Sequence, residues 1–225
     1  MYKKSGKRLV DLIISVIVFI IILPISIITS IILLLTGEHE VLYLQDRVGY
    51  LNCRFKIWKF ATMLKKSPEI GTGSLTVRRD ARVLPVGRFL RASKINELPQ
   101  IVNVFKGDMA IVGPRPPMEH DFNKLSDSFQ QIFYSAKPGI TGIGSIIFRD
   151  EERLLSELKG DLHEFYISHI APYKVELEVW YLKRMSFWTD IQLIFLTFWV
   201  IFFKESNLPY LMFRDLPAKP EQLKW

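Results

Sequence analysis

The 225-residue chain has a single cysteine, Cys53, so no internal disulfide can form. A stapled secreted mini-domain is excluded, and a reducing compartment is the expected setting. Histidine is also scarce: His39, His120, His163 and His169 are unclustered, and no Cys/His zinc spacing occurs. There is no Walker A run, no G-x-G-x-x-G and no G-x-S-x-G elbow, and Gly139, Gly142 and Gly144 have the wrong spacing to imitate one. Internal repeats, low-complexity tracts and N-x-S/T sequons are missing too. What is present suits a folded core: 49% of residues are hydrophobic and 24% charged, which argues against disorder. The net charge of +7 points to an anionic partner, whether nucleic acid, phosphorylated metabolite or lipid surface.

Leu12 to Leu35 carries no charge and is dominated by Ile, Leu, Val and Phe. As a helix it would be roughly 36 Å long, enough to cross a hydrocarbon core of about 30 Å. Lys3, Lys4, Lys7 and Arg8 precede it. A cleaved signal peptide is disfavoured, because the run exceeds an h-region of about 7–15 residues and no A-x-A-like site follows. Pro24 sits at the centre, where it removes a helical hydrogen bond and predicts a kink or break. The four cations should stay cytoplasmic, so a full crossing would export everything after Thr36. Yet residues 41–225 hold 26 Lys+Arg against 20 Asp+Glu, one unpaired cysteine and no sequon. A re-entrant helix-break-helix over residues 1–36, each half reaching only about 18 Å, reconciles these facts. A nucleic-acid binder gives this run no role.

A second apolar stretch, Ile191–Phe203, is too short to span and predicts an interfacial or buried helix, with Trp188 just before it and Trp199 within it as candidate aromatic anchors. Val41–Gly49 and Arg54–Met63 read as a β-hairpin, Ser67–Ser74 as a loop, and Val86–Ser93 and Leu98–Phe105 as helices stopped by Gly107-Asp108. Met109–Val112 reads as a short strand or turn and Phe122–Ser135 as a helix. From Asp150 to Met185 helical periodicity dominates, interrupted at Gly160 and Pro172. The expected fold is α+β and mostly helical, with a small sheet and interfacial helices. Its expected divisions are 1–36 (membrane element), 37–187 (cytosolic catalytic-type domain) and 188–225 (interfacial helix and tail).

Arg78, Arg79, Arg82, Arg88, Arg91 and Lys94 set six cations within 17 residues, opposed only by Asp80. Guanidinium forks suit phosphate oxygens, although a solvated basic face beside anionic lipid reads equally from composition. Asn96-Glu97-Leu98-Pro99-Gln100 predicts a helix start with Asn96 as N-cap and Pro99 in the first turn. Glu97 is a candidate general base or metal ligand. In Gly113-Pro114-Arg115-Pro116-Pro117 the flanking prolines stiffen the backbone, so Arg115 can clamp a phosphate with little entropy left to lose; a surface turn is the plain alternative. Asp150, Glu151 and Glu152 read first as acids complementing a helix dipole.

Taken together, these pieces resemble the bacterial sugar transferase family, the small monotopic phosphoglycosyl transferases. The resemblance runs nearly end to end. It includes Gln45-x-Arg47-x-Gly49, Phe55-Lys56-Ile57-Trp58-Lys59 with Thr62-Met63, and Glu97-Leu98-Pro99-Gln100. It continues through Asn103-Val104-x-Lys106-Gly107-Asp108-Met109, Val112-Gly113-Pro114-Arg115-Pro116, Pro138-Gly139-Ile140-Thr141-Gly142 and Trp180-Tyr181-Leu182…Ser186…Asp190.

The resemblance implies transfer of a sugar-1-phosphate from a UDP-sugar to polyprenyl (undecaprenyl) phosphate, at the cytoplasmic face of the bacterial inner membrane, starting a surface glycan. It implies Mg²⁺ on the diphosphate, with Glu97 as metal ligand, and Lys59, Thr62, Arg88, Arg91, Gly113, Pro114 and Arg115 binding substrate. It also implies an Asp-Glu dyad in which the Asp attacks phosphorus, and here the chain departs: that position is Asn96. An amide is a very poor nucleophile. Either another carboxylate serves (Glu97, or one of Asp150, Glu151 and Glu152), or the polyprenyl phosphate attacks directly, or the chain is an inactive, binding relative. A second departure, Ile143-Gly144-Ser145-Ile146-Ile147-Phe148-Arg149-Asp150-Glu151-Glu152 after Gly142, marks a distinct natural subgroup.

Overall fold

The computed structural model describes Tyr2 and residues 6–69, 76–77, 80–123, 127–158 and 160–223. Lys3, Lys4, Arg78, Arg79 and the segment 70–74 of the expected Ser67–Ser74 loop lie outside the described residues.

Helix α1, Lys7–Leu35, is the one described helix long and apolar enough to cross a membrane. Pro24 lies inside it and does not divide it into the two elements expected from sequence. A proline costs a helix one N–H donor and strains one turn, and the apolar turns on both sides continue past it. α1 touches the rest of the fold along its length. Near its start, Lys7 Nζ donates to Asp190 at 2.6 Å, Arg8 donates to the Val104 and Phe105 carbonyls at 2.6 and 3.1 Å, and Asp11 accepts from the Ile111 N–H at 3.2 Å. Further on, Ile22 joins the main core, and near the far end Leu33 packs with Phe60 and Leu90. The other face exposes Leu9, Ile13, Ile17, Ile20, Ile28 and Leu35.

The hairpin follows as expected: β1 (Leu42–Val48) pairs antiparallel with β2 (Arg54–Phe60). Helix α2 (Pro85–Ala92) starts on its proline, where a missing N–H costs nothing. The stretch Ile95–Gln100 is a 3-10 turn entered through Lys94 in the left-handed region, and α3 is only Ile101–Lys106. Asn96 is therefore inside the turn and is not the N-cap expected from sequence, because Pro99 postpones regular α-helical bonding to the next turn. Gly107, at φ +90°, ends α3.

Asn103 then ties α3 to the sheet: its side chain accepts from the Trp58 N–H (3.1 Å) and donates to the Lys56 carbonyl (2.8 Å). β3 (Ala110–Val112) pairs in parallel with β4 (Gly139–Thr141). Where the chain leaves β3 the backbones almost touch; a Cβ on Gly139 would stand 2.1 Å from the Gly113 nitrogen, and one on Gly142 would stand 2.2 Å from its oxygen. Glycine is required at both places, and the contact fixes the start of Pro114-Arg115.

Between these strands the expected helix Phe122–Ser135 is two, α4 (Glu119–Phe122) and α5 (Asp127–Ser135). Next come α6 (Ile143–Ile147), α7 (Glu151–Glu157) and α8 (Leu162–Phe165), then a π turn, Tyr166–Ile170, running directly into α9 (Ala171–Arg184). Pro172 thus opens α9 instead of interrupting a helix, as its lack of an N–H allows. Helix α10, Phe187–Phe202, buries Leu193, Leu196 and Val200 while exposing Trp188, Phe195, Phe198 and Phe202, so it is core on one face and open on the other. Helix α11 (Leu208–Met212) precedes a tail whose Phe213, Leu216 and Leu223 return to the main core beside Tyr173, Leu177 and Tyr181. The α+β, mostly helical class expected from sequence is what the chain adopts.

Candidate functional site

A cavity of about 1200 Å³ opens between the hairpin, α2, the 3-10 turn, α6, α7 and α9. Lys59, Thr62, Arg88, Arg91, Asn96, Glu97, Pro114, Arg115, Asp150, Glu151 and Glu152, scattered over 94 positions of sequence, all line it. Gly113 and Pro24 do not: Gly113 acts from behind the wall through its contacts with β4, and Pro24 lies elsewhere on α1.

Arg115 grips Glu97 with both prongs, Nη2 to Oε1 at 3.0 Å and Nη1 to Oε2 at 3.4 Å, and Lys94 approaches Oε1 at 3.8 Å. Burial raises the Glu97 pKa, but Arg115, Lys94 and Lys59 outweigh it and hold the carboxyl well below its ordinary range. Glu97 is thus anionic at neutral pH and a poor proton acceptor. Arg115 is correspondingly raised, by Glu97 first.

On the hairpin, alternation puts Tyr43, Gln45 and Arg47 on one face. Gln45 Oε1 accepts from Arg47 (2.7 Å) and Lys59 (3.2 Å), while Arg47 also donates to the Pro116 carbonyl at 3.0 Å. That last bond fixes the far side of Arg115's proline-framed turn. Burial, then Arg47 and Arg115, pushes the Lys59 amine well below its ordinary pKa. Burial also lowers Lys94 and Arg149. The cations are crowded with too little negative charge among them, which is the electrostatic state an incoming anion relieves.

The acids in the first turn of α7 do more than complement a helix dipole. Glu152 pairs with Arg91 at 2.5 Å across 61 residues, and Glu151 with Lys174 at 2.7 Å. Asp150 precedes α7 without making a side-chain cap. The sequence reading missed Lys174 and Glu178; the available signal was a charged pair one turn apart on α9, beside the buried stripe Tyr173, Leu177 and Tyr181. Thr62 is buried and contributes its carbonyl to the Leu84 N–H at 3.0 Å, which seats α2.

Asn96 is 6% exposed, and its Oδ1 has no hydrogen-bond partner among the described residues. No group of three or more His, Cys, Asp or Glu is gathered to hold a metal among those residues. Glu97, held by Arg115, and the orphaned Asn96 Oδ1 are two of the lining oxygens, and two such donors would leave a hard cation to take its remaining ligands from phosphate and water. Away from the cations the cavity wall turns apolar, formed by Ile14, Val18 and Ile22 of α1 and Ile194, Phe198 and Ile201 of α10. The site therefore joins a cation-rich end to an apolar wall from two helices that each expose another face.

A profile of the family described as bacterial sugar transferase matches residues 2–204, and the chain belongs to that family. Among its relatives, it is 32% identical over 204 residues to the UDP-glucose:undecaprenyl-phosphate glucose-1-phosphate transferase of Klebsiella pneumoniae, covering 89% of this chain and 41% of that protein. It is 31% identical over 198 residues to the UDP-N-acetylgalactosamine-undecaprenyl-phosphate N-acetylgalactosaminephosphotransferase of Aeromonas hydrophila, covering 85% and 42%. To the undecaprenyl-phosphate galactose phosphotransferase of Salmonella typhimurium it is 29% identical over 205 residues, covering 85% and 39%. The chain thus spans about two-fifths of the length of these relatives.

Proposed function

We propose that the protein transfers a sugar-1-phosphate from a UDP-sugar to undecaprenyl phosphate at the cytoplasmic face of the bacterial inner membrane, initiating a surface glycan. The observation that carries this reading is the single cavity in which Lys59, Arg91, Lys94 and Arg115 meet an apolar wall from α1 and α10. A donor diphosphate suits the cations, and a polyprenyl tail suits the wall. Family membership and the names of the relatives support the same reaction.

In the reaction, the bond between the sugar-bearing phosphorus and the bridging oxygen of the donor breaks, UMP leaves with that electron pair, and an acceptor phosphate oxygen forms the new bond. Arg115 and Arg91 orient the phosphates and offset their charge. Glu97, with Asn96 Oδ1 beside it, would hold Mg²⁺, which when bound neutralises charge on the diphosphate. Asn96 offers no attacking carboxylate and Glu97, Glu151 and Glu152 are held in ion pairs; in this reading Asp150 does not attack either, and the acceptor attacks directly.

The membrane arrangement we propose is monotopic, with residues 1–36 as a re-entrant element, 37–187 as the cytosolic part and 188–225 as the interfacial part. Both ends of α1 pack on one body, which favours a helix dipping into a single leaflet over one leaving the body to span.

The test is UMP release from a panel of UDP-sugars, with and without Mg²⁺ and undecaprenyl phosphate. Release should require all three, with no label from a sugar-labelled UDP-sugar retained on the protein. Retained label would overturn direct attack, and absence of release from every UDP-sugar would leave a membrane-bound binding relative.

A further inference from the structure

One buried carboxyl in the cavity wall plays no part in the charge cluster above. Glu178, on α9, is 5% exposed and lines the cavity, yet its Oε2 has no hydrogen-bond partner among the described residues. The other oxygen is seated against α6: a Cβ on Gly144 would stand 2.6 Å from Oε1, and the Gly144 backbone N–H is hydrogen-bonded to the carboxyl. Gly144 therefore makes the room that Glu178 occupies. A buried oxygen left unpaired is unfavourable and needs a donor from somewhere.

Its surroundings narrow the donor. Lys174, one turn earlier, is the nearby cation, but its ammonium is already committed to Glu151 (2.7 Å) and the Tyr166 hydroxyl (3.4 Å) and lies 4.9 Å over the Phe148 ring. A phosphate placed against Glu178 would face a carboxyl whose one neighbouring cation among the described residues, Lys174, is already committed. A polyprenyl chain would bury the same oxygen against hydrocarbon. A neutral group carrying hydroxyls meets neither difficulty. The Thr141 and Thr197 hydroxyls, bonded to each other at 2.7 Å, add further polar lining to the same cavity.

We propose that Glu178 is a specificity-determining residue that contacts the glycosyl group of the donor, with Oε2 hydrogen-bonded to a sugar hydroxyl. This inference rests on the transferase reading above. The phosphates bind at Arg115 and Arg91, and the sugar extends toward α6 and α9. Ser145, a small polar residue, lines the cavity beside them.

The experiment is equilibrium binding of UDP, UDP-glucose, UDP-galactose and UDP-N-acetylgalactosamine to the full chain in lipid nanodiscs. It compares wild type with Glu178→Met and Glu178→Gln, with thermal melting recorded alongside. Glu178→Met should weaken the best-bound UDP-sugar at least tenfold, leave UDP within twofold, and keep the melting temperature unchanged or higher. Glu178→Gln retains an oxygen for the Gly144 N–H and should lose less. UDP-sugar and UDP weakening in parallel, or neither weakening in both folded variants, would overturn the role of Glu178. Wild type that binds UDP but none of the sugars more tightly would overturn it as well. If wild type binds no UDP compound at all, the transferase reading itself falls.

Discussion

Arg115 and Glu97, 18 residues apart, meet as a two-pronged ion pair, with the shorter contact at 3.0 Å. The prolines around Arg115 and the Gly113–β4 contact fix one partner, and the 3-10 turn through Pro99 fixes the other. The Arg115 side chain, which lines the cavity, is 41% exposed, whereas the Glu97 side chain is 11% exposed. The arginine thus keeps donors for a ligand while holding the acid ionised.

Arg115→Ala should therefore lower UMP release by about 100-fold or more, the usual effect of losing one preorganised donor to a transferring group. Arg115→Lys keeps the charge but loses the fork, and should recover only a small part. Turnover with purified, folded variants measures both; near-normal turnover of Arg115→Ala would remove Arg115 from phosphate binding.

Lys59 is held below its ordinary pKa by burial and by Arg47 and Arg115. An anion bound among these groups restores the ammonium, so UDP binding should take up protons at pH values between the lowered and the ordinary pKa. Calorimetric titration in two buffers of different ionisation enthalpy reports the uptake, and Lys59→Met should reduce it.

Burial raises Glu178 from 4.5 to about 7, against the pull of the Gly144 N–H and Lys174. The folded state then holds a proton that the unfolded chain has lost, so stability declines as pH rises from 4.5 to about 7. Relative to Glu178→Gln, wild type should lose up to about 3 kcal/mol across that window. Denaturation at several pH values measures the difference, and parallel curves would contradict it.

Asp190 is buried at the start of α10 and accepts from Lys7 (2.6 Å), Tyr2 (2.6 Å) and Tyr181 (2.8 Å). Asp190→Ala breaks the shorter of two buried contacts of Lys7, leaving only Asp11 at 3.8 Å, and should cost about 3 kcal/mol of stability. Loosened packing of α1 should appear as faster amide exchange near Lys7 and Asp11.

Cys53 is exposed on the hairpin and serves as a native reporter of topology. In a Cys53→Ser background, Gly6→Cys and Glu38→Cys bracket α1. An impermeant maleimide should reach both of them, and Cys53 in wild type, from the same side of the bilayer. Labelling of positions 6 and 38 from opposite sides would replace the re-entrant arrangement with a span.

Much of this was legible from residues alone. The uncharged Leu12–Leu35 run needs only hydropathy to declare a long apolar helix, and the aromatic, β-branched hairpin formed where expected, whereas the close backbone contacts at Gly139 and Gly142 showed only in the fold. Local geometry near proline was harder. Pro24 left the boundaries of α1 intact, Pro99 delayed α3 and displaced Asn96 from the cap, and Pro172 opened a helix. A single missing N–H can be absorbed in several ways, and packing chooses among them.

Sequence by itself therefore determined which kinds of surface this chain possesses: a greasy helix, a dense set of cations, and a stiff arginine turn. Only the tertiary structure decided which charges meet. Glu152 found Arg91 across 61 residues, Glu151 found Lys174, and Glu178 Oε2 was left without a hydrogen-bond partner among the described residues. Ion pairing and desolvation depend on distance and burial in space, and chain separation does not encode either.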